Sequence, residues 1–274
     1  KSGQSGGCFP SFGGQRASRG MTLPTYRTVR VWQRNRDVFL RLWKTEIGGI
    51  IAEPIVILAA LGFGLGFYVD DINGRAYAEF VAPGIIASYA MFHAVFECTF
   101  STYLRMETHR IFDGIIVTPV SVEDLVMGEV AWGATRSTLT ATAILAFTYI
   151  LGMVSSPWAL LIIPISFILG LMFASIAITV TAIVPYLNSL NNFFTLFITP
   201  MWFLSGVFFP LSELPSPIST LAWLMPLTPA AHLVRGLAFG ELSWSLLGSF
   251  LAMMGFLALF LTLALRLMRK RLII

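Results

Sequence analysis

Charged residues are scarce in this chain. They make up 12% of its 274 residues, whereas hydrophobic residues make up 56%. Soluble domains carry about 25% charged residues, so this composition leaves too little polar surface to cover a water-soluble globule. The mean hydropathy of +0.78 points the same way. The composition therefore excludes an ordinary soluble domain and indicates a protein embedded in a membrane.

Cysteine and histidine are also rare, and those present follow no metal-binding pattern. Cys8 and Cys98 supply neither a disulfide framework nor a metal pair. The three histidines His93, His109 and His232 are scattered, and no HExxH occurs. We therefore predict no metal site and no cofactor held by this chain. Cys98 is predicted to be a small apolar filler, as buried free cysteines usually are.

Motifs for nucleotide binding and covalent catalysis are missing as well. The sequence holds no GxxxxGK[ST] phosphate loop and no GxSxG nucleophile elbow. Gly62, Gly64 and Gly66 follow no strand, so Gly62 and Gly66 predict close helix packing instead of a dinucleotide site. Residues 109–113 are one residue short of an acyltransferase HxxxxD. We predict that this chain is not an enzyme and hydrolyses no ATP itself.

Long apolar runs are abundant instead. Runs of about 18 or more apolar residues are typical of membrane-spanning helices. Six such runs predict an all-α integral membrane protein, with a six-span transmembrane domain over residues 47–274. The predicted spans are residues 47–69, 80–104, 127–153, 157–184, 188–210 and 244–268.

Lysine and arginine are concentrated near the ends of these spans. Fifteen of the 18 lie in residues 1–46, in the linker 105–125 and in residues 266–271. Basic segments stay in the cytoplasm, and an even number of spans places both ends of a chain on one side. Both termini and the 105–125 linker are therefore predicted to be cytoplasmic. This distribution of charge argues against nucleic acid as a partner.

The N-terminal region divides in two. Residues 1–24 are rich in Gly and Ser and contain the first methionine at position 21, so they are predicted to be disordered or extraneous. Residues 25–46 predict an amphipathic interfacial helix, with aromatic side chains toward lipid and arginines toward the headgroups. A soluble helix that packs on a partner is the alternative.

One face of the second predicted span is polar. Tyr89, His93, Glu97 and Ser101 are each four residues apart and share a helix face. An intramembrane carboxylate usually faces a bundle interior or a wet cavity. These residues therefore predict a substrate path, with polar contacts between helices as the alternative. The predicted path residues are Tyr89, Phe92, His93, Phe96, Glu97, Phe100, Asn192 and Thr195.

Glu53, Glu129 and Arg136 add an intramembrane charge network to this picture. Glu53 precedes Pro54, which is expected to kink the first span because proline removes a backbone donor. Glu129 and Arg136 lie two turns apart in the third predicted span. An ion pair between them, or other neighbouring partners, is expected to lower the cost of placing them there.

The linker between the second and third spans predicts a short helix and then a capped helix start. Ile111, Phe112, Ile115 and Ile116 fall on one apolar side of the short helix, and Pro119 ends it. Ser121 with Asp124 three residues later predicts a capping box. The result is a stiff, charged elbow on the cytoplasmic side.

Before the sixth span, residues 207–240 are apolar but interrupted by prolines at positions 210, 215, 217, 226 and 229. Apolar pieces too short to span a membrane are held against protein when they enter it. This segment therefore predicts an external re-entrant hairpin between the fifth and sixth spans.

Three stretches carry a family resemblance: EPIVILAALGFGLG, FDGIIVTPVSVEDLVMGEVAWGATR and FLSGVFFPLSELPSPISTLAWLMPLTPAAHLVRGL. From about residue 25 to the end, the chain resembles the permease subunits of type 2 ABC exporters, and among them the nodulation-factor (NodJ-type) lipooligosaccharide export permeases. The resemblance implies a homodimer in the bacterial inner membrane. It also implies two copies of a separate cytoplasmic ATPase, which would bind the ATP and Mg²⁺.

The resemblance further implies a cargo and a coupling site. The cargo would be a lipo-oligosaccharide or related amphiphilic glycolipid, taken from the cytoplasmic leaflet among the membrane lipids. A hydrophobic drug or a polysaccharide-linked lipid is an alternative cargo. An ion-coupled secondary transporter using Glu97 and His93 and an intramembrane enzyme are alternative classes. The elbow would seat on the ATPase through Arg110, Ile111, Phe112, Asp113, Ile115, Ile116, Thr118 and Pro119.

Overall fold

The computed structural model describes residues 25–69, 71–72, 74–116, 118–154 and 156–272. The segment 1–24, predicted to be disordered or extraneous, lies outside them. The described residues are mostly helical, and their β-type pairing is a single bridge between Ile72 and Arg75. Their α-helices are α1 (Arg27–Ala59), α2 (Tyr77–Phe96), α3 (Ile111–Ile116), α4 (Val122–Ile150), α5 (Ile162–Ile183), α6 (Leu187–Phe193), α7 (Thr199–Leu204), α8 (Ser216–Trp223), α9 (Leu227–Phe239) and α10 (Trp244–Leu272).

Four described helical segments are long and apolar enough to cross a membrane: Arg27–Gly62, Tyr77–Thr108, Pro157–Ile183 and Trp244–Leu272. They correspond to the first, second, fourth and sixth predicted spans. The third predicted span coincides with α4, whose threonines and charged residues lower its hydropathy. The fifth predicted span coincides with the helical run from α6 to α7. The prediction of an all-α integral membrane protein is confirmed, whereas the count of six spans stays a prediction.

Helix α1 is continuous across the predicted junction between the interfacial helix and the first span. No proline stands between residues 44 and 47, and the helix continues through Pro54 before a π-helical segment, Ala60–Leu65. Residue 46 is therefore not a helix end. The polar first half of α1 packs on α4, where it buries Val31 and Asn35.

The aromatic face of α1 is split between protein and surroundings. Trp32 Nε1 donates a hydrogen bond to Thr135 Oγ1 at 2.9 Å. The Phe39 ring lies edge-on to Trp132, with 5.8 Å between the ring centroids. Trp43, in contrast, is 45% exposed. The prediction that the whole aromatic face meets lipid is wrong in part, because α4 supplies ring and hydroxyl partners for half of it.

The core consists of α2, α4 and α5, which pack closely because small residues occupy their crossings. A Cβ added to Gly170 of α5 would lie 2.7 Å from the Ala134 Cα of α4. Cys98 is fully buried beside Gly133, in keeping with its prediction as a filler. At the far end, a Cβ on Gly62 would lie 3.0 Å from the Ala78 Cβ, as close helix packing predicts.

The proline-interrupted segment folds as two short helices, α8 of 8 residues and α9 of 13 residues. Both are too short to span a bilayer, and α9 packs against α2 and α10. Arg235 holds this arrangement together: its Nη2 donates to the Gly206 carbonyl at 2.9 Å, and its guanidinium lies 4.0 Å from the Phe80 ring centroid. α9 is thus held against the protein, whereas α8 lies mostly at the surface.

Candidate functional site

The polar face predicted on the second span lines a cavity of about 510 Å³. Its wall on one side is α2 and the π-helical segment Glu97–Ser101 that follows it. α1, α4 and α7 supply the remaining walls. The cavity is lined by Glu53, Ile57, Tyr89, Phe92, His93, Phe96, Glu97, Phe100, Ser101, Arg136 and Trp202.

Aromatic rings give this cavity a firm, mainly apolar wall. Phe92 and Trp202 meet edge to face with 5.1 Å between centroids, and Phe96 stacks on Phe100 at 5.3 Å. Phe96 is nevertheless 51% exposed, so one side of the wall is open. Polar groups interrupt the rings: the Tyr89 hydroxyl donates to Glu53 Oε1 at 3.3 Å. The site therefore combines flat apolar surface with carboxylate acceptors.

Two predicted path residues, Asn192 and Thr195, do not line this cavity. The helical run from α6 to α7 faces α2 through a stripe that includes Phe194, Ile198 and Trp202. Asn192 and Thr195 lie off that stripe and are exposed. The single chain therefore does not bring them together with the α2 face, and their place in a substrate path stays a prediction. Trp202, in contrast, lines the cavity without having been predicted, since an aromatic in an apolar run carries no distinguishing signal.

Glu129 is the most deeply buried carboxylate near the cavity, at 1% exposure, and it is fully partnered. It accepts hydrogen bonds from Arg34 Nη2 at 2.9 Å and Arg105 Nη2 at 2.6 Å. Asn35 Nδ2 at 3.1 Å and Thr102 Oγ1 at 3.2 Å complete the set. Of the two predicted arrangements, the structure shows neighbouring partners and not an ion pair with Arg136. This cluster joins α1, α4 and the extension of α2.

Arg136 lies two turns further along the same helix and contacts other partners. Its Nη2 donates to Glu46 Oε2 at 2.7 Å, while the Glu97 carboxylate is 3.9 Å from its Nε. Glu97 is itself hydrogen-bonded to Arg105 Nη1 at 3.0 Å. The Phe39 ring centroid lies 4.8 Å from the guanidinium carbon of Arg136. Arg136 thus stands at a meeting point of α1, α2 and α4.

Arg34, Glu46 and Arg105 are charged-site residues that the sequence analysis did not single out. Each lies in a segment whose charge was explained by its position near a membrane surface. Their partners are distant in sequence, for example 95 residues between Arg34 and Glu129. A single sequence contains no signal for such pairs, because ion pairing of this kind depends on the packing of α1 against α4.

The elbow is a short, mostly exposed helix that is anchored to the protein by one buried side chain. Arg110 has a positive φ of 48° and begins the turn into α3. Asp113 is exposed and Ile115 half-buried, whereas Phe112 is only 1% exposed and packs in the core of the chain itself. Phe112 therefore anchors the elbow, and the prediction that it meets an ATPase is wrong for this reason. The side chain of Ile116 lies outside the described residues.

The N-terminus of α4, directly after the elbow, is capped as predicted. Ser121 Oγ accepts from the Asp124 backbone N–H at 3.1 Å, and the Asp124 carboxylate accepts from the Ser121 backbone N–H, which confirms the capping box. Asp124 Oδ1 also accepts from Thr28 Oγ1 at 3.0 Å. Arg27 donates to the carbonyl of Pro119, which with Thr118 forms the exposed turn. The start of α1 therefore braces this end of the elbow.

The model of the ABC-2 type transporter family matches residues 27–239. Since that match covers most of the chain, the chain belongs to this family, and the protein is a multi-pass membrane permease of an ABC exporter.

Relatives by sequence agree. The chain is 38% identical to nodulation protein J of Sinorhizobium fredii over 207 residues, which is 76% of this chain and 79% of that protein. It is 35% identical to nodulation protein J of Rhizobium meliloti over 213 residues, 78% of this chain and 81% of that protein. It is 22% identical to the inner membrane transport permease YadH of Escherichia coli over 224 residues, 77% of this chain and 81% of that protein. Within the ABC-2 family, the chain is a permease of the nodulation protein J type.

Proposed function

We propose that this protein exports an amphiphilic lipo-oligosaccharide or related glycolipid from the cytoplasmic leaflet of the bacterial inner membrane. It would act as a homodimer driven by two copies of a separate ATPase, which bind the ATP and Mg²⁺. Both termini and α3 would be cytoplasmic. The observation that carries the proposal is that a half-open aromatic cavity with carboxylates adjoins an ion-pair cluster leading to an exposed, braced elbow.

The cavity suits a sugar-bearing amphiphile. Aromatic rings such as Phe96 and Phe100 offer flat faces that pack against sugar rings or acyl chains. Glu53 and Glu97 supply acceptors for hydroxyl groups. At about 510 Å³, the cavity of one chain has the size of a small-ligand pocket. A longer lipo-oligosaccharide would extend through the exposed side at Phe96, toward the second copy in a homodimer.

The position of the elbow suits it to transmit a displacement from an ATPase to the cavity. α3 presents Ile111 and Asp113 at the surface while Phe112 fixes it to the core. Directly beyond α3, the capping box begins α4, which carries Glu129 in the ion-pair cluster and Arg136 at the cavity. A displacement of α3 would therefore reach the cavity through one rigid helix, the kind of rigid-body coupling that drives alternating access.

Reconstitution tests the proposal. Purified permease would be placed in vesicles with and without the partner ATPase, and movement of a fluorescent lipo-oligosaccharide across the bilayer would be followed with ATP and with a non-hydrolysable analogue. We expect movement only with both the ATPase and ATP. Movement of the same cargo by the permease alone would contradict the proposal.

An ion-coupled secondary transporter is the second candidate, because His93 and Glu97 both line the cavity. The same vesicles distinguish it: transport that follows an imposed proton gradient without nucleotide would support it. The ion pair of Glu97 with Arg105 at 3.0 Å argues against this candidate, because the carboxylate is already bound to a cation of the chain itself.

A further inference from the structure

Two cavities meet at the side chains of Glu97, Ser101 and Arg136. These three residues line both the aromatic cavity and a second cavity of about 340 Å³ on the side of α3. Arg34 and Arg105 add cationic groups to the second cavity, and His109 adds an imidazole ring. These three residues therefore form the boundary between the two cavities.

Arg136 is incompletely hydrogen-bonded, as are Arg34 and Arg105, which each also have one buried nitrogen without a partner among the described residues. A guanidinium has five N–H donors, and Arg136 uses one of its nitrogens, Nη2, to reach Glu46. Its buried Nε has no hydrogen-bond partner among the described residues, and the nearby Glu97 oxygen is 3.9 Å away. The Arg136 side chain is nevertheless only 10% exposed. A buried cation with spare donors is costly unless something else binds it.

The partner that Arg136 does have is exchangeable. Glu46 is 40% exposed, so water can solvate its carboxylate when the contact opens. Glu129 is only 1% exposed, so water cannot solvate its carboxylate if the contact opens. Its ion pairs with Arg34 and Arg105 are therefore held in place. The Phe39 ring holds the guanidinium plane of Arg136 from one side. Arg136 is therefore the cation in this cluster that is free to exchange one anion for another.

We propose that Arg136 binds the anionic group of an amphiphile, such as a phosphate, sulfate or carboxylate, at the junction of the two cavities. The planar guanidinium binds such groups through two parallel hydrogen bonds. Glu46 occupies Arg136 until the anion displaces it, and the apolar part of the molecule lies along the aromatic cavity. This inference rests on the proposed export of an amphiphile and adds that the amphiphile carries negative charge.

The competing role for Arg136 is a structural tie between α1 and α4. The two roles make opposite demands on a pair of variants. If Arg136 only connects α1 to α4, Arg136→Gln and Glu46→Gln remove the same contact and change lipid binding in the same direction. At an anion site, Arg136→Gln removes the binding group, whereas Glu46→Gln removes its competitor.

Calorimetric titration of the purified permease in detergent separates these roles. The probes are dihexanoyl phosphatidic acid, dihexanoyl phosphatidylcholine and inorganic phosphate. We expect the wild-type protein to prefer phosphatidic acid over phosphatidylcholine. Arg136→Gln should weaken phosphatidic acid binding about tenfold, the usual cost of one charge-assisted hydrogen bond. Glu46→Gln should tighten it, and Arg136→Lys should retain part of the preference.

Arg30→Gln, at an exposed arginine of α1, is the matched control and should leave the preference unchanged. Equal binding of both lipids, or a shift in the same direction for Arg136→Gln and Glu46→Gln, would overturn the proposal. Inorganic phosphate binding as tightly as phosphatidic acid would overturn the assignment to an amphiphile. Because the titration involves neither ATPase nor transport, failure of the proposed export would leave its outcome unaffected.

Discussion

Arg271, near the end of α10, and Glu107, just before α3, form an ion pair at 2.7 Å. On the other side of the elbow, Arg269 pairs with Glu123 at 3.2 Å. The end of α10 therefore holds the elbow at both its entry and its exit. These contacts connect the last helix of the permease to the element that we propose receives the push of the ATPase.

The pair between Arg271 and Glu107 yields a first prediction. Glu107→Gln should reduce ATP-driven export with little loss of stability, because exposed pairs contribute about 0–1 kcal/mol and Glu107 is 46% exposed. Export by reconstituted vesicles and the melting temperature in detergent are the two measurements. Glu213→Gln, an exposed glutamate far from the elbow in sequence, is the control and should change neither. A melting temperature that falls in parallel with export would show a purely structural pair.

Glu129 yields a second prediction. Glu129→Gln keeps the shape of the side chain but leaves Arg34 and Arg105 without their shared anion. Removing one partner of a buried ion pair costs about 3–5 kcal/mol. Thermal unfolding in detergent should therefore show a marked loss of stability, far larger than for Glu213→Gln. Equal stabilities of the two variants would show that the cluster does not hold α1 against α4.

Glu129 and Trp202 show which site residues can be predicted from the sequence and which cannot. Glu129 was identified because a carboxylate within an apolar run is rare and costly. Such a residue can be recognised from the sequence alone, without knowledge of the fold. The elbow and the capping box at Ser121 were predicted for a similar reason, since proline and capping signals act over a few residues. Trp202 was missed because its place beside Phe92 depends on how α7 packs against α2.

The same limit explains the errors. The family resemblance implied that Phe112 contacts the ATPase, and the periodicity of a six-residue helix could not correct this, because it does not distinguish the side toward the chain's own core from the side toward a partner. Asn192 and Thr195 share a polar stripe, but a stripe does not say which neighbour it meets. The pairing of Arg34 with Glu129 spans 95 residues and requires the folded bundle.

The aromatic cavity yields a third prediction. Trp202→Ala should weaken binding of a fluorescent glycolipid several-fold, because an aromatic contact contributes about 0.5–1.5 kcal/mol beyond its buried area. Fluorescence anisotropy on the purified permease measures this directly. Asn192→Ala, exposed and outside the cavity, is the control and should bind normally. A larger effect at Asn192 than at Trp202 would place the glycolipid on the outer face of α6.

The central claim is that the bend between α2 and α4 meets an ATPase, and site-specific cross-linking tests it most directly. A photo-reactive residue would replace Asp113, which is exposed on α3, or Glu213, which is exposed between α7 and α8. Illumination of membranes containing both subunits should join the ATPase to the protein labelled at position 113 and not to the protein labelled at position 213. Cross-linking of the ATPase from position 213, with none from position 113, would contradict the account.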